Sequence, residues 1–431
     1  MRVRFFTLGC KVNQYESQAL RTLFLKAGYE ALETGKAHIY IVNSCTVTSQ
    51  ADKKTRQLLN RLRKENPDAV IVLTGCLPQA SSAISPEVVS ADIVTGTRER
   101  ADLVRLVDNY LETRRPLRAV SDYSAGQAYE ALNVDRFDHR FQRAYIKIED
   151  GCDRACAYCI IPTARGPVRS RPLEEIKLEA DRLLCEGYRE LVLTGINLSR
   201  YGFDTGHSLV EAVQLTAACS GDFRVRLGSV EPDLLSEADY LALSKIDKLC
   251  PHFHLALQSG CNRTLSRMNR HYTAQKVLST VETIHRLFSN PSITADFIVG
   301  FPGETEDEFF ETLRFVSALP LMRAHIFEFS LRAGTPAADM ADQVLPAVKK
   351  ERAKRLKESC DIQAQLFSGT QLGKTVRVLC EAKGGGYTDN YLYVSYSPQP
   401  FDHGRFIEVL LTDKNAAGCT GMPVTKLSKE N

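Results

Sequence analysis

The chain has 431 residues, enough for two or three domains and a sizeable core. Hydrophobic residues make up 44% and charged residues 25%, and the formal net charge is only +3. This composition is typical of a globular protein, and any affinity for nucleic acid must come from local basic patches. The opening MRVRFFTLGCK lacks the apolar run of a signal peptide, and no stretch approaches the length of a membrane span. We therefore expect a cytoplasmic protein that does not bind membranes.

Residues 1–122 alternate strand and helix patterns. Four short apolar runs predict strands: VRFFTL, HIYIVN, AVIVLTG and ADIVTG. The stretches NQYESQALRTLFLKAGY and SQADKKTRQLLNRLRKENP between them have helical spacing. This order predicts an N-terminal α/β domain with a parallel sheet. Residues 113–137 lose the periodicity and are expected to form a linker.

Residues 138–365 resume the alternation as a second α/β domain. Six apolar runs predict buried strands: AYIKIED, RELVLTG, FRVRLGSV, HFHLALQS, ITADFIVG and AHIFEFS. Six units are too few for a closed eightfold barrel but suit an open, partial (βα)6 barrel of the TIM type. In such a barrel the chemistry takes place at the C-terminal ends of the strands.

Residues 367–431 follow a basic helical stretch, PAVKKERAKRLKESCDIQAQLF, and change pattern again. Short alternating strands are predicted at KTVRVLCEA, YLYVSY, RFIEVLLTD and MPVTKLS, with KGGGYTDN as a break after the first of them. This pattern predicts a small β-barrel of the OB-like kind.

Thirteen cysteines in a chain of this kind need an explanation. Because the cytosol keeps thiols reduced, metal binding or reactivity is favoured over a disulfide framework. Seven of the cysteines are scattered through apolar patterns and are predicted to be core residues: Cys185, Cys219, Cys250, Cys261, Cys360, Cys380 and Cys419.

The sharpest local motif is GCDRACAYCIIPTARG, in which Cys152, Cys156 and Cys159 follow the first strand of the second domain. Three thiolates on one tight loop can hold three irons of a cubane cluster and leave the fourth iron open. Zinc is the alternative, but a closed zinc site needs a fourth ligand.

This loop and the six units behind it resemble the radical S-adenosylmethionine (SAM) enzymes. The resemblance implies that SAM chelates the open iron and is cleaved to an adenosyl radical. Small polar residues at the other strand ends are suited to holding that cofactor: Gly195, Asn197, Ser229, Glu231, Gln258 and Ser259. Ordinary turn chemistry would explain any one of these loops. Thr163 departs from the family pattern, which usually has an aromatic residue there.

Three more cysteines follow successive strands of the first domain. Cys10, Cys45 and Cys76 each come just after a predicted strand. Because parallel strands end at one edge of a sheet, these thiols should converge in space. Three converging thiolates predict a second cubane cluster with one open iron.

With LGCKVNQYES, VNSCTVTSQADKKTR and LTGCLPQ, nearly the whole chain resembles the methylthiotransferases. The resemblance implies two [4Fe-4S] clusters, two SAM molecules, an RNA-binding TRAM barrel at the C-terminus and an electron donor such as flavodoxin or ferredoxin. GCKVNQYES resembles the branch that adds a methylthio group to C2 of N6-threonylcarbamoyladenosine beside the tRNA anticodon. Isopentenyladenosine in tRNA and a ribosomal protein are alternative substrates, and a non-catalytic zinc protein that binds RNA is a remote alternative.

Three basic stretches could contact the tRNA phosphates, while DNA is not an expected partner. They are ADKKTRQLLNRLRK, the group Arg165, Arg169 and Arg171, and KKERAKRLK. Each alone is more often a solvated helix face. Tyr387, Tyr391 and Tyr393 of the small barrel are predicted to stack on bases.

Overall fold

The structure is a computed structural model that describes residues 1–81, 90–124, 126–135, 142–381, 384–397 and 403–424. Within these ranges, no helix has both the length and the apolar character needed to cross a membrane.

The N-terminal domain is a six-stranded parallel sheet with the strand order β2-β1-β3-β4-β5-β6. Its strands are β1 Arg2–Thr7, β2 Glu30–Leu32, β3 Ile39–Ser44, β4 Val70–Gly75, β5 Ile93–Thr95 and β6 Leu117–Ala119. Its described helices are α1 Lys11–Lys26, α2 Ser49–Glu65, α3 Cys76–Ala80 and α4 Leu103–Thr113. The predicted parallel sheet is confirmed. The segment expected to be a linker instead contributes the edge strand β6, which pairs with β5.

The central strands β3 and β4 are buried along their whole length, because helices cover both faces of the sheet. One apolar cluster includes Tyr40, Val42 and Leu73, and a second on the other face includes Ile41 and Val72. Alternate residues of the same strand therefore pack into two separate cores. This explains why the strands read as continuous apolar runs.

The second domain is an open barrel of six parallel strand positions, as predicted. Its strands are β7 Arg143–Lys147, β10 Glu190–Thr194, β11 Arg224–Leu227, β12 Ser229–Val230, β13 His252–Gln258, β14 Ser292–Val299 and β15 Leu321–Glu328. The third position is interrupted at Gly228, so that β11-β10-β7 and β12-β13-β14-β15 form two hydrogen-bonded sheets. A small antiparallel pair, β8 Glu149–Asp150 and β9 Arg169–Ser170, flanks the cysteine loop.

Helices surround the convex side of this barrel, and the largest apolar cluster among the described residues lies between these helices and the strands. The helices are α5 Ile161–Arg165, α6 Leu173–Cys185, α7 Leu209–Ala217, α8 Glu237–Ser244, α9 Asn262–Arg267, α10 Ala274–Leu287, α11 Glu306–Ser317 and α12 Pro346–Gly369, with short 3-10 turns at Leu198–Arg200 and Pro336–Ala338. Six of the seven cysteines predicted to be core residues are buried. Cys185 is exposed at the end of α6, so that prediction is wrong for it.

The C-terminal domain is a closed five-stranded barrel with the order β16-β17-β18-β20-β19. The strands are β16 Thr375–Glu381, β17 Gly385–Thr388, β18 Tyr393–Ser395, β19 Phe406–Asn415 and β20 Gly418–Pro423. The segment expected to be a break contains β17. Of the predicted strand MPVTKLS, the first two residues belong to β20, and residues 425–428 lie outside the described part of the chain.

The turn between β17 and β18 closes one end of the central barrel. Arg224 Nη1 lies 2.7 Å from Asp389 Oδ1, and Arg226 Nη1 donates to the Asp389 carbonyl at 2.9 Å. The Tyr391 ring stacks on His252 with 4.6 Å between centroids. Because these contacts lie at the starts of β11 and β13, the opposite end, where the strands finish, stays available for ligands.

Candidate active site

The first thiol group lies where three neighbouring strands end. Cys10 is the N-cap residue of α1, three residues after the end of β1. Cys45 directly follows β3, and Cys76 directly follows β4 and begins α3. Burial raises the pKa of Cys76 to about 12; Arg165 opposes this rise, while charges at Cys45 and Cys10 add to it. Because β3 pairs in parallel with both β1 and β4, and each cysteine follows the end of its strand, the three thiols lie at one edge of the sheet, as predicted.

Two glycines allow this convergence. Gly9 has a φ of +115°, and a Cβ there would lie 2.6 Å from Cys45 Cβ. Gly75 has a φ of +102°, and a Cβ there would lie 2.6 Å from the Ser44 carbonyl oxygen. Both backbones combine a left-handed conformation with close packing, which only glycine tolerates.

The second thiol group occupies the loop between β8 and α5. The Cys152 amide donates to the Gly166 carbonyl at 3.0 Å, which closes the loop. Burial raises the pKa of Cys152 to about 11 and that of Cys159 to about 12, and both neighbouring thiols add to the rise at Cys159. Arg270 Nη1 lies 3.1 Å from Cys156 Sγ. The loop thus holds three thiols beside a cation.

Both thiol groups open onto one cavity of about 640 Å³. Cys10 lines it from the N-terminal domain, and the second group lines it with Cys152, Cys156 and Cys159. Cys45 and Cys76 lie behind Cys10 and are buried. The cavity is therefore a shared space at the domain junction.

Five of the six residues predicted to hold a cofactor line this cavity: Gly195, Asn197, Ser229, Glu231 and Gln258. Ser259 does not. It is buried, and its hydroxyl pairs with the Thr312 hydroxyl at 3.1 Å. Ser259 follows the last residue of β13, and its hydroxyl is directed towards α11 instead of the cavity.

Two arginines that pair with Glu231 in the cavity were not predicted from the sequence. Arg154 Nη2 lies 2.9 Å from Glu231 Oε2, and Arg270 Nη1 lies 3.2 Å from Glu231 Oε1. Arg154 lies within the cysteine motif, which was a usable signal. Arg270 follows α9, and no motif there indicated that it would reach the cavity.

Three buried cations connect the two thiol groups through one carboxylate. Arg165 Nη1, Lys147 Nζ and Arg100 Nη1 lie 2.7, 2.9 and 3.0 Å from Glu16 Oε1. Burial opposes ionisation of Glu16, but Arg100, Arg165 and Lys147 outweigh it and hold its pKa at about 2. Glu16 lies on α1, whose cap is Cys10, whereas Arg165 ends the helix that follows Cys159. The cluster fixes one thiol group relative to the other.

The same cavity contains a group of histidine and carboxylate side chains. His254 Nε2 and His325 Nδ1 each lie 3.1 Å from an oxygen of Asp296. One potential ligand atom from each of the three lies within 4.8 Å of the others. Burial raises the pKa of Asp296, but the hydrogen bonds from both histidines outweigh it and lower the pKa below its usual range. The pair of imidazoles therefore keeps this carboxylate ionised.

Of the predicted basic surfaces, only one carries exposed, unpaired cations over most of its length. Five exposed cations of α2 form no ion pair within the described residues: Lys53, Lys54, Arg56, Arg61 and Lys64. In α12, Arg352, Arg355 and Lys357 pair with nearby carboxylates.

The arginine group after the cysteine loop was expected to contact RNA, and that expectation is wrong. Arg165 and Arg169 are buried against Asp150, and Arg171 is buried against Glu179. Glu179 lies 8 residues from Arg171 and Asp150 lies 15 residues from Arg165, spacings that do not by themselves indicate an ion pair, and Glu16, which also pairs with Arg165, lies 149 residues away.

Comparisons with known proteins agree with this geometry. Residues 146–316 match the Radical SAM superfamily, and residues 2–96 match the uncharacterized protein family UPF0004. The threonylcarbamoyladenosine tRNA methylthiotransferase of Bacillus subtilis is 38% identical, over 94% of this chain and 93% of that protein. The protein of the same name from Thermotoga maritima is 40% identical, over 90% of each.

This chain belongs to the radical SAM methylthiotransferases. Among solved structures, the radical SAM methyltransferase TsrM of Kitasatospora setae shares the fold with a TM-score of 0.58 and 14% identity, over 78% of this chain and 75% of that one. As a radical SAM methylthiotransferase, the protein uses [4Fe-4S] clusters and SAM.

The residues present fit these groups. Burial raises the pKa of Cys45, Cys76, Cys152 and Cys159, which makes their thiolates costly, and the positive charge of iron ions bound to them would offset that cost. All thirteen cysteines are free, so the thiols are not consumed in disulfides. Asn197 Oδ1 is buried without a hydrogen-bond partner in the described structure, while its Nδ2 lies 3.8 Å from Cys152 Sγ. An unpaired acceptor beside the cysteine loop suits a donor such as the amino group of SAM.

Proposed function

We propose that this methylthiotransferase adds a methylthio group to C2 of N6-threonylcarbamoyladenosine beside the anticodon of tRNA. Both relatives described above are named for that nucleoside. The observation that carries the proposal is the shared cavity, because Cys10 and the loop of Cys152, Cys156 and Cys159 line the same space. An acceptor carbon in that space would be reached from both thiol groups.

We further assign the six cysteines as cluster ligands. Cys10, Cys45 and Cys76 would hold the auxiliary cluster, and the loop thiols would hold the cluster that binds SAM. Each set offers three thiolates, which leaves one iron of a cubane free for a further ligand.

The cofactor pocket lies at the ends of β10, β12 and β13. Asn197 and Glu231 are connected by a 3.3 Å hydrogen bond, and Arg270 bridges Glu231 to the cysteine loop. These groups would orient the methionine part of SAM. Gly195 also lines the cavity, and a Cβ there would lie 2.6 Å from Glu149 Oε2, so a larger residue would displace the strand end. Ser259 is withdrawn from this assignment because its side chain faces Thr312.

When bound, the clusters and SAM supply the one-electron chemistry that opens the unactivated C2–H bond and the sulfur that replaces the hydrogen. The protein positions the two thiol groups and the base. The cation cluster around Glu16 holds the two thiol groups in one orientation, and the cavity walls keep the base between them. A base held in this way already lies close to the groups with which it reacts, which lowers the entropic part of the barrier.

The tRNA would approach along α2. Val47 lines the cavity, and α2 begins two residues later, at Ser49. The exposed cations of this helix can therefore follow phosphates while the modified base enters the cavity. The electron donor, of the flavodoxin or ferredoxin kind, and a cytoplasmic location belong to the same proposal.

The test is mass spectrometry of tRNA nucleosides from a strain in which the gene is deleted. Loss of the 2-methylthio form of threonylcarbamoyladenosine, with restoration by the intact gene and not by a Cys10→Ala copy, is the expected result. Loss of 2-methylthio-isopentenyladenosine, or of a methylthio group on a ribosomal protein, would assign the enzyme to one of the alternative substrates.

A further inference from the structure

Two cations in the cavity have no counter-ion in the part of the chain that the structure describes. Within the described residues, Lys11 and Arg323 form no ion pair and no side-chain hydrogen bond, yet both line the shared cavity. The other two basic side chains of the lining differ, since Arg154 and Arg270 both pair with Glu231. A half-buried cation without an anion is costly, which points to an anionic ligand.

The acids of the cavity do not serve as these counter-ions. Among the described lining residues, the only carboxylates are Glu231 and Asp296. Glu231 is used by the two arginines near the cysteine loop. Asp296 is held by His254 and His325. This part of the cavity therefore keeps an excess of positive charge when no substrate is bound.

The position of Arg323 separates it from the cysteine loop. Arg323 is in register with Thr294 of β14, and Thr294 is in register with His254 of β13. Gln258, at the end of β13, is four residues further along, which corresponds to about 13 Å at 3.3 Å per residue. The Arg323 backbone thus lies well below the level at which the strand ends face the cysteine loop, so its side chain enters the cavity from the end opposite the cluster that would bind SAM.

We propose that Arg323 and Lys11 form a carboxylate subsite that binds the threonyl carboxylate of the substrate nucleoside. The inference rests on the proposed function, which supplies an N6 substituent that ends in a carboxylate. The planar guanidinium can bind both carboxylate oxygens, and the Lys11 ammonium adds a point charge. An isopentenyl group carries no charge and would leave both cations unpaired, so the subsite selects against it.

The test measures binding of three synthetic anticodon stem-loops to the enzyme with both clusters. They share one sequence and carry at the target adenosine the threonylcarbamoyl group, its methyl ester or no N6 group. Wild type should bind the acid more tightly than the ester by roughly 10- to 100-fold, the range of a charge-assisted pair. Arg323→Gln should remove most of this difference without changing affinity for the ester, and Arg323→Lys should retain part of it.

Arg314→Gln is the matched control, because Arg314 is also unpaired among the described residues but is exposed on α11, away from the cavity. The RNA-binding results for Lys11→Gln are interpreted by the same criteria. Its iron content is also measured, because Cys10 is adjacent to Lys11 in the sequence. Equal weakening of all three RNAs by Arg323→Gln would assign Arg323 to phosphate, and weaker SAM binding alone would assign it to the cofactor; either result overturns the subsite.

The outcomes also separate this inference from the proposed function. If wild type methylthiolates the threonylcarbamoyl RNA but Arg323→Gln retains full preference for acid over ester, only the subsite is wrong. If wild type modifies an isopentenyl RNA and ignores the threonylcarbamoyl RNA, the proposed function itself fails.

Discussion

Arg165 donates to both oxygens of Glu16, from Nη1 at 2.7 Å and from Nη2 at 3.0 Å. One residue ends the helix after the cysteine loop, and the other lies on the helix capped by Cys10. Arg165 Nη2 also donates to Asn13 Oδ1 at 3.0 Å, and Cys10 Sγ lies 3.5 Å from the same oxygen. A single arginine on the helix that follows Cys159 is therefore connected to Cys10 through Asn13.

The first prediction concerns the stability of this junction. Glu16→Gln removes the carboxylate shared by Arg100, Arg165 and Lys147 and leaves buried cations undercompensated. Breaking a buried ion pair from one side costs about 3–5 kcal/mol, and we expect a loss of this order in the free energy of unfolding. Urea titration followed by circular dichroism measures it. Glu33→Gln is the control, since the Glu33 side chain is 55% exposed and pairs with Arg21 at the surface.

The second prediction is the pH dependence of the same effect. Because the folded pKa of Glu16 is about 2 and the ordinary value is 4.5, folding favours its ionised form. The stabilisation is fully present above about pH 4.5 and is lost as the pH falls towards 2. The difference between wild type and Glu16→Gln should therefore be largest near pH 6 and smaller at pH 3.5. If the difference in the free energy of unfolding increased as the pH fell, this would contradict an ionised Glu16 in the folded protein.

The third prediction concerns iron. Two cubanes correspond to about eight irons per chain, and replacing either cysteine set by alanine should leave about four. Iron analysis and visible absorption after anaerobic reconstitution measure both numbers. Cys185→Ala is the control, because that thiol is exposed and outside both sets. Zinc without visible absorption would instead support the alternative of a metal-stabilised RNA-binding protein.

The fourth prediction concerns the basic helix α2. Lys53→Ala/Lys54→Ala should weaken tRNA binding and make the slope of log affinity against log salt shallower by roughly 1–2, since each phosphate contact contributes slightly less than one. The matched control is Arg355→Ala/Lys357→Ala in α12, where both cations already pair with carboxylates. If the two double variants had equal slopes of log affinity against log salt, α2 would not contact the RNA.

The sequence was sufficient to predict both thiol groups because parallel strands bring their C-terminal ends to one edge. Cys10, Cys45 and Cys76 needed only that rule. The buried charges could not be predicted, because Arg165 looks like a free cation until Glu16, 149 residues earlier, is placed against it. Strand β6 was missed since three residues are too few to show a period, and they become a strand only by pairing with β5.

The last prediction concerns Tyr391, which the sequence suggested as a base-stacking residue. In the structure its ring stacks on His252 and Tyr387, and the guanidinium of Arg226 lies 4.7 Å from its centroid. These partners occupy the ring, which lies inside the closed end of the central barrel. Tyr391→Ala should therefore lower thermal stability while changing affinity for an unmodified anticodon stem-loop by less than about twofold, well below the ~1–3 kcal/mol typical of base stacking.

Tyr391→Phe is the matched control for this variant, because it keeps the ring and loses only the hydrogen bond from Arg143 at 3.2 Å. Deletion of residues 367–431 should weaken tRNA binding, but it also removes Asp389 and Tyr391 from the barrel end, so its effect combines lost RNA contacts with lost stability. The point variants separate the two. A tenfold loss of stem-loop affinity in Tyr391→Ala at an unchanged melting temperature would instead show that Tyr391 contacts the RNA.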